Sequence, residues 1–150
     1  MAITRIGPNQ SINLASNITG TLPTANGGTG ATSFSPSKVL QVINATSTTE
    51  TVLTNSSTAD TGLTANITPA STSNKVLVNA HIQGVGKDNN GYVVLKLVRG
   101  STDLATFEQR GADTDTADTN KVGGCSISFL DSPSSTSATT YKVTVTGNGN

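Results

Sequence analysis

The chain has 150 residues, nine of them basic and nine acidic, and its formal net charge is zero. This length allows one domain of ordinary size with an appended arm, and the absence of any run of Lys or Arg excludes the basic footprint of a nucleic-acid-binding protein. No apolar stretch approaches the ~20 residues of a membrane-spanning helix, so we expect no membrane partner.

The composition predicts an all-β fold. Thr, Ser, Asn and Gly supply about half of the chain, whereas strong helix formers are scarce. Thr favours strands, and Ser, Asn and Gly favour turns. Because only 33% of the residues are hydrophobic and 3% aromatic, the chain is poor in core-forming side chains. We therefore expect further apolar surface to be buried between subunits.

Residues 1–37 are predicted to be an extended N-terminal arm and connector, followed by a β-sandwich domain over residues 38–150. The arm has no lasting hydrophobic period, and Pro8, Pro23 and Pro36 exclude a long helix. It is either a disordered tail or an arm that docks on another subunit. In the second interpretation its isolated apolar residues fill pockets there: Ile3, Ile6, Ile12, Leu14, Ile18 and Leu22.

Strand-like patterns follow the arm in a regular rhythm with turns. The candidate strands in chain order are residues 38–44, 50–54, 62–68, 75–83, 92–99, 104–108, 123–131 and 139–146. In residues 75–83, apolar positions alternate with Asn79, His81 and Gln83, which predicts a half-buried strand with a polar outer face. Residues 92–99 begin apolar on both faces, which predicts a central strand.

The last candidate strand, residues 139–146, also alternates. Tyr141, Val143 and Val145 share one face of it, and we predict that this face points inward.

Three polar stretches separate these strands. Residues 87–91 predict a tight turn, because Asn-Gly suits positive φ. Residues 111–120 and 132–137 predict surface loops. The last four residues, 147–150, look like a turn into a further strand that a neighbour or a longer chain would supply. The pattern predicts an antiparallel β-sandwich, of jelly-roll type.

The search for reactive residues predicts no catalytic, cofactor-binding or metal site, and therefore no enzyme. Cys125 lies in an alternating strand pattern and is interpreted as a small core residue. His81 is interpreted as a solvated strand residue, although a ligand contact or a position near a trimer axis are alternatives. Three carboxylates, Asp113, Asp115 and Asp118, are interpreted as a solvated acidic loop, with Ca²⁺ binding as the alternative.

A glycine-rich connector, "LPTANGGTGAT" at residues 22–32, is the most specific motif. It lacks the lysine, the preceding strand and the following helix of a phosphate-binding loop. Pro23 stiffens its entry, and Gly27, Gly28 and Gly30 permit conformations that side chains would block. Residues 18–32 resemble a "G-x-LP-x-ANGGTG" segment common in tail-fibre and other virion surface proteins of tailed bacteriophages. The domain after it is similar, more loosely, to β-sandwich modules of phage structural proteins.

The resemblance implies a non-enzymatic, trimeric virion protein on the particle surface, assembled in the host bacterial cytoplasm. A tail-fibre or appendage protein is the favoured interpretation, with other virion proteins and a host surface glycan as partners. A capsid decoration (cement) protein on the major capsid protein is the alternative. A free carbohydrate-binding module is less favoured, because the chain has two Tyr, three Phe and no Trp to form sugar-binding platforms.

Overall fold

The computed structural model describes residues 39–54, 56–87, 90–114 and 120–148. The chain divides into two compact units, Met1–Gln41 and Val42–Asn150. The described residues contain six strands, all in the second unit: β1 (Thr58–Ile67), β2 (Val76–Lys87), β3 (Gly91–Arg99), β4 (Thr102–Thr114), β5 (Asn120–Asp131) and β6 (Thr139–Asn148).

The strands form two antiparallel sheets. The four-stranded sheet has the order β1-β6-β3-β4, and the two-stranded sheet pairs β2 with β5. The first strand therefore pairs with the last, and the second pairs with the fifth. This confirms the predicted all-β antiparallel sandwich.

The core lies between the two sheets and consists of medium-sized apolar side chains. Its buried cluster takes one residue each from β2, β5 and β6 and two from β3: Val85, Cys125, Val143, Val93 and Leu95. Leu95 and Val143 are each only 1% exposed. Partly buried side chains such as Phe107 and Ile82 pack around this cluster, so alternation along each strand supplies the core as the sequence predicts.

Six of the predicted strands are confirmed, because residues 62–68, 75–83, 92–99, 104–108, 123–131 and 139–146 all overlap the observed strands. β3 lies between β6 and β4, which confirms the central strand. The predicted loop at residues 132–137 contains no strand. A two-residue turn at Gly100 and Ser101 joins β3 to β4, with Gly100 at φ +58°.

The other two predicted strands are wrong. Residues 39–44 and 50–54 lie in no strand, although their apolar content resembles that of the true strands. A strand needs a partner for its backbone groups, and a hydrophobic pattern reports only the tendency to form one.

Two predicted turns or loops are also corrected. Residues 111–114 continue β4 and Asn120 begins β5, so the strands reach further than the polar composition suggests. Residues 147 and 148 belong to β6 and pair with β3 rather than turning into a further strand. The predicted tight turn at residues 87–91 includes positions 88 and 89, which lie outside the described residues, and the strands on either side of it, β2 and β3, belong to different sheets.

Candidate interaction surfaces

The predicted docking and connector residues lie outside the described part of the chain. These are Ile3, Ile6, Ile12, Leu14, Ile18 and Leu22 in the arm, and Pro23, Gly27, Gly28 and Gly30 in the connector. Of the predicted acidic loop, Asp115 and Asp118 also lie outside it, whereas Asp113 is on β4 and pairs with Arg110. No group of three metal-ligating side chains occurs among the described residues.

Cys125 and His81 lie on opposite faces of the two-stranded sheet. Cys125 is buried in the core and its Sγ donates a hydrogen bond to Glu108 Oε2 at 3.4 Å. Burial, followed by the interaction with Glu108, raises the pKa of the Cys125 thiol, which lowers its reactivity as a nucleophile. His81 is exposed on the outer face, so this histidine does not activate the thiol.

The ring of His81 lies across Gly124 of the neighbouring strand. A Cβ built on Gly124 would come 2.9 Å from His81 Cε1, so a side chain at position 124 would displace the imidazole from this position. Asn79 and Gln83 are exposed on the same face. The predicted polar outer face of this strand is therefore confirmed, and His81 is a solvated strand residue there.

An ion pair with a buried carboxylate ties the two sheets together at one end of the core. Arg99 of β3 donates two hydrogen bonds to Asp131 of β5, at 2.9 Å to Oδ1 and 2.7 Å to Oδ2. The hydroxyl of Tyr141 on β6 donates to Asp131 Oδ2 at 2.5 Å. The hydrogen bond to Asp131 is the main cause that raises the pKa of Arg99, and burial raises the pKa of Tyr141.

This ion pair was not predicted, although Tyr141 was correctly predicted to face inward. A buried tyrosine needs a partner for its hydroxyl. Asp131 and Arg99 are each the charged last residue of a strand that is otherwise largely apolar. Two opposite charges in this position are the sequence signal that could have identified the pair. All three side chains help to hold the two sheets together. Because Asp131 is only 7% exposed, the cluster offers little surface to a ligand.

The outer face of the four-stranded sheet is covered by polar side chains that bond one another. Lys142 pairs with Asp60 at 2.9 Å and Lys96 with Asp103 at 2.6 Å. Additional cross-strand pairs on this sheet join Thr58 to Thr146, Thr140 to Asn66, and Asn148 to Tyr92. Through such pairs the polar side chains of this face make hydrogen bonds within the single chain. Few of them therefore need a hydrogen-bond partner from another molecule.

The outer face of the two-stranded sheet is different. Leu77 of β2 lies directly opposite Leu130 of β5, and these leucines are 59% and 56% exposed. Beyond them the facing pairs are Asn79 with Ser128 and His81 with Ser126. These positions carry no carboxylate, lysine or arginine, so an approaching protein surface meets little charge.

A second exposed apolar surface lies before β1. Val39, Leu40, Val42 and Ile43 are 77%, 60%, 80% and 44% exposed, and Val52 is 75% exposed. Isolated exposed apolar side chains are normal, but several within five residues make this segment a candidate interaction surface. With Leu77 and Leu130, these residues are the large hydrophobic side chains exposed in the described part of the chain.

The described part of the chain contains no helix of the length and apolarity that a membrane span requires. Comparison of the sequence and the structure with protein-family models, curated proteins and solved structures finds no match. The interaction surfaces therefore rest on the geometry of this chain alone.

Proposed function

We propose that this chain is a non-enzymatic structural protein of a bacteriophage virion, a homotrimer anchored to the particle by its N-terminal arm. The observation that carries the proposal is the segment at residues 18–32, which resembles a recurrent segment of phage virion surface proteins. We place the protein in a tail fibre or a similar appendage, where the β-sandwich faces outward and a host surface glycan is a candidate ligand.

The geometry of the β-domain agrees with a structural role. Its sheets are joined by the ion pair of Arg99 with Asp131, and cross-strand polar pairs cover one outer face. The thiol of Cys125 is buried and is separated from His81 by the sheet that carries both residues. A β-sandwich with exposed apolar patches supports a role in assembly, because such patches are suited to protein contacts.

Location and copy number on the particle test this proposal. Antibodies against the β-domain, applied to intact particles, should label the tail, and quantitative mass spectrometry should find a few copies per particle. The matched control is a preparation of particles from a phage in which the coding sequence of this chain has been deleted. Hundreds of copies spread over the shell would replace the appendage role by that of a capsid decoration protein, and absence from purified particles would overturn the virion role altogether.

Deletion of residues 1–37 tests the anchoring role of the arm. The truncated chain should be missing from particles while its β-domain unfolds at the same urea concentration as in the full chain. The control is a full chain in which residues 28–30 are replaced by alanine, which keeps the apolar arm residues. Normal incorporation of the truncated chain would contradict anchoring by the arm.

A further inference from the structure

We propose that residues 39–44 of one copy add as a third strand to the free edge of β2 in the next copy of the chain. The inference rests on the proposed homotrimer and identifies the contact between its copies. In this contact a strand-like segment that lies in no sheet pairs with a sheet edge that has no strand partner.

The donor is the segment Val39-Leu40-Gln41-Val42-Ile43-Asn44. It has the β-branched and apolar composition of a strand. As an extended segment it would carry apolar side chains on both of its faces, Val39 and Ile43 on one and Leu40 and Val42 on the other. Nevertheless it lies in no strand, and Val42 is 80% exposed. Such a segment gains both backbone hydrogen bonds and apolar burial when it joins a sheet.

The acceptor is the first part of β2, residues 76–83. Its second edge has no strand partner among the described residues, since the sheet contains only β2 and β5. This stretch contains no charged residue, proline or glycine, and its pairing with β5 is regular from Val76 to Gln83. Proteins ordinarily protect a free edge with a charge, a proline, or a bulge, and residues 76–83 have none of these.

The edge strands of the four-stranded sheet do have such protection. β1 carries Asp60 and an irregularity before Thr64, and β4 carries Asp103 and Glu108 with several shifts in its pairing to β3.

The contrast singles out the two-stranded sheet, in which neither β2 nor β5 has a second strand partner among the described residues. β5 carries Gly123 and Gly124, ends at Asp131 and contacts β4 of the other sheet, so residues 76–83 of β2 are the better acceptor. An added strand would place side chains about 5 Å from Leu77 and would cover this exposed leucine.

A second copy of the chain fits as the donor because each chain offers one such segment and one such edge. The contact is head-to-tail, and a head-to-tail contact closes into a ring when its rotation allows. Three copies form a closed ring when each contact rotates one copy by a third of a turn relative to the next, which agrees with the proposed trimer. The uncharged edge also places no like charges opposite each other when copies associate.

Mass measurement of the intact chain tests the donor. The full-length protein should run as a trimer in light scattering and native mass spectrometry, and Val42→Asp should shift it to monomer by burying a charge in the contact. Val52→Asp is the matched control, because Val52 is similarly exposed at 75% but lies outside the donor. A monomeric wild-type chain, or equal loss of trimer in both variants, would overturn the proposal.

Cross-linking tests the acceptor without a disruptive variant. Gln41→Cys and Asn79→Cys are placed in separate chains that also carry Cys125→Ser, and a short bismaleimide is added after mixing and reassembly. The result expected is a linked pair that contains one chain of each kind, several-fold more abundant than with Thr136→Cys in place of Asn79→Cys. Equal linkage to both, or linkage only when Gln41→Cys and Asn79→Cys share one chain, would overturn strand exchange.

Failure of this contact and failure of the virion role are distinguishable. If the purified chain shows no exchange but particles contain it, the contact is wrong and the structural role stands. If exchange occurs in solution but purified particles lack the chain, the virion role is wrong and the contact stands.

Discussion

The four-stranded sheet covers its outer face with its own side chains, whereas the two-stranded sheet leaves leucines exposed. On the former, Lys142 meets Asp60 and Lys96 meets Asp103. On the latter, Leu77 and Leu130 face each other with more than half of each exposed. Both sheets bury the same core, so this difference concerns association rather than folding of the single chain.

The difference also appears at the sheet edges. The free edge of β1 is interrupted by the irregularity between Asp60 and Thr64, where Thr61 Oγ1 donates to the Val143 carbonyl at 2.9 Å. The free edge of β2 runs uninterrupted from Val76 to Gln83. An edge that is regular and has no Asp, Glu, Lys, Arg or Pro favours strand addition, and this edge belongs to the sheet with only two strands.

The largest expected effect separates a core leucine from an exposed one. Leu95→Ala should lower the free energy of unfolding by about 4 kcal/mol, because Leu95 is 1% exposed and its loss leaves a cavity. Leu77→Ala should cost less than about 0.5 kcal/mol. Both are measured by urea unfolding in the Val42→Asp background, where we expect a monomer. Similar losses for the two variants would contradict the division between buried core and open outer face.

The next largest effect concerns the ion pair between the sheets. Asp131→Ala should cost about 3 kcal/mol, because it leaves the Arg99 guanidinium and the Tyr141 hydroxyl without their shared acceptor. The matched control, Asp103→Ala, removes an exposed ion pair with Lys96 and should cost less than about 1 kcal/mol. Urea unfolding measures both, and equal losses would mean that the pair does not join the sheets.

Alkaline pH should weaken the same connection. The pKa of Tyr141 is raised by burial and by its hydrogen bond to Asp131, so the unfolded chain releases this proton near pH 10 while the folded chain keeps it. Stability from this group is complete below about pH 10 and falls above it by ~1.4 kcal/mol per pH unit.

Urea midpoints between about pH 9 and pH 11 measure this loss. The comparison uses chains that carry Cys125→Ser, because the raised pKa of Cys125 contributes a loss of the same sign. Tyr141→Phe should be less stable at neutral pH but flatter above about pH 10. An unchanged slope in Tyr141→Phe would show that another group governs alkaline unfolding.

The smallest effect compares glycines of the two sheets. Gly62 on β1 and Gly84 on β2 have φ of +78° and +72°, and a Cβ on Gly62 would come 2.8 Å from Ser47 Oγ while Gly84 is open. Gly84→Ala should cost about 1 kcal/mol from backbone strain alone, and Gly62→Ala somewhat more. Adding Ser47→Ala to Gly62→Ala should remove the difference in thermal unfolding, and its persistence would contradict the contact.

The strands and their inward faces could be predicted from sequence because alternation is a local property. Tyr141 and Val143 are predicted to face inward and both are buried. The error at residues 39–44 shows the limit of this reasoning, since strand-forming residues do not reveal whether a partner is available in the same chain. The same residues, 39–44, are the proposed donor strand.

The sheet partition and the ion pair could not be predicted in the same way. Pairing of β1 with β6 joins residues about 80 positions apart, such as Asp60 and Lys142, and no local pattern encodes such a choice. Asp131 contacts Arg99 and Tyr141 only because the sandwich brings three strand ends together. Long-range topology decides both features.

Amide hydrogen exchange of the intact full-length chain tests the central claim that another copy completes the two-stranded sheet. Alternate amides of residues 76–83 point to the free edge, and in the wild-type chain they should exchange about as slowly as the β5 amides that point toward β2. In Val42→Asp they should exchange at least ~10-fold faster while β6 is unchanged. Rapid exchange of these amides in the wild-type chain, equal to that in Val42→Asp, would contradict the account.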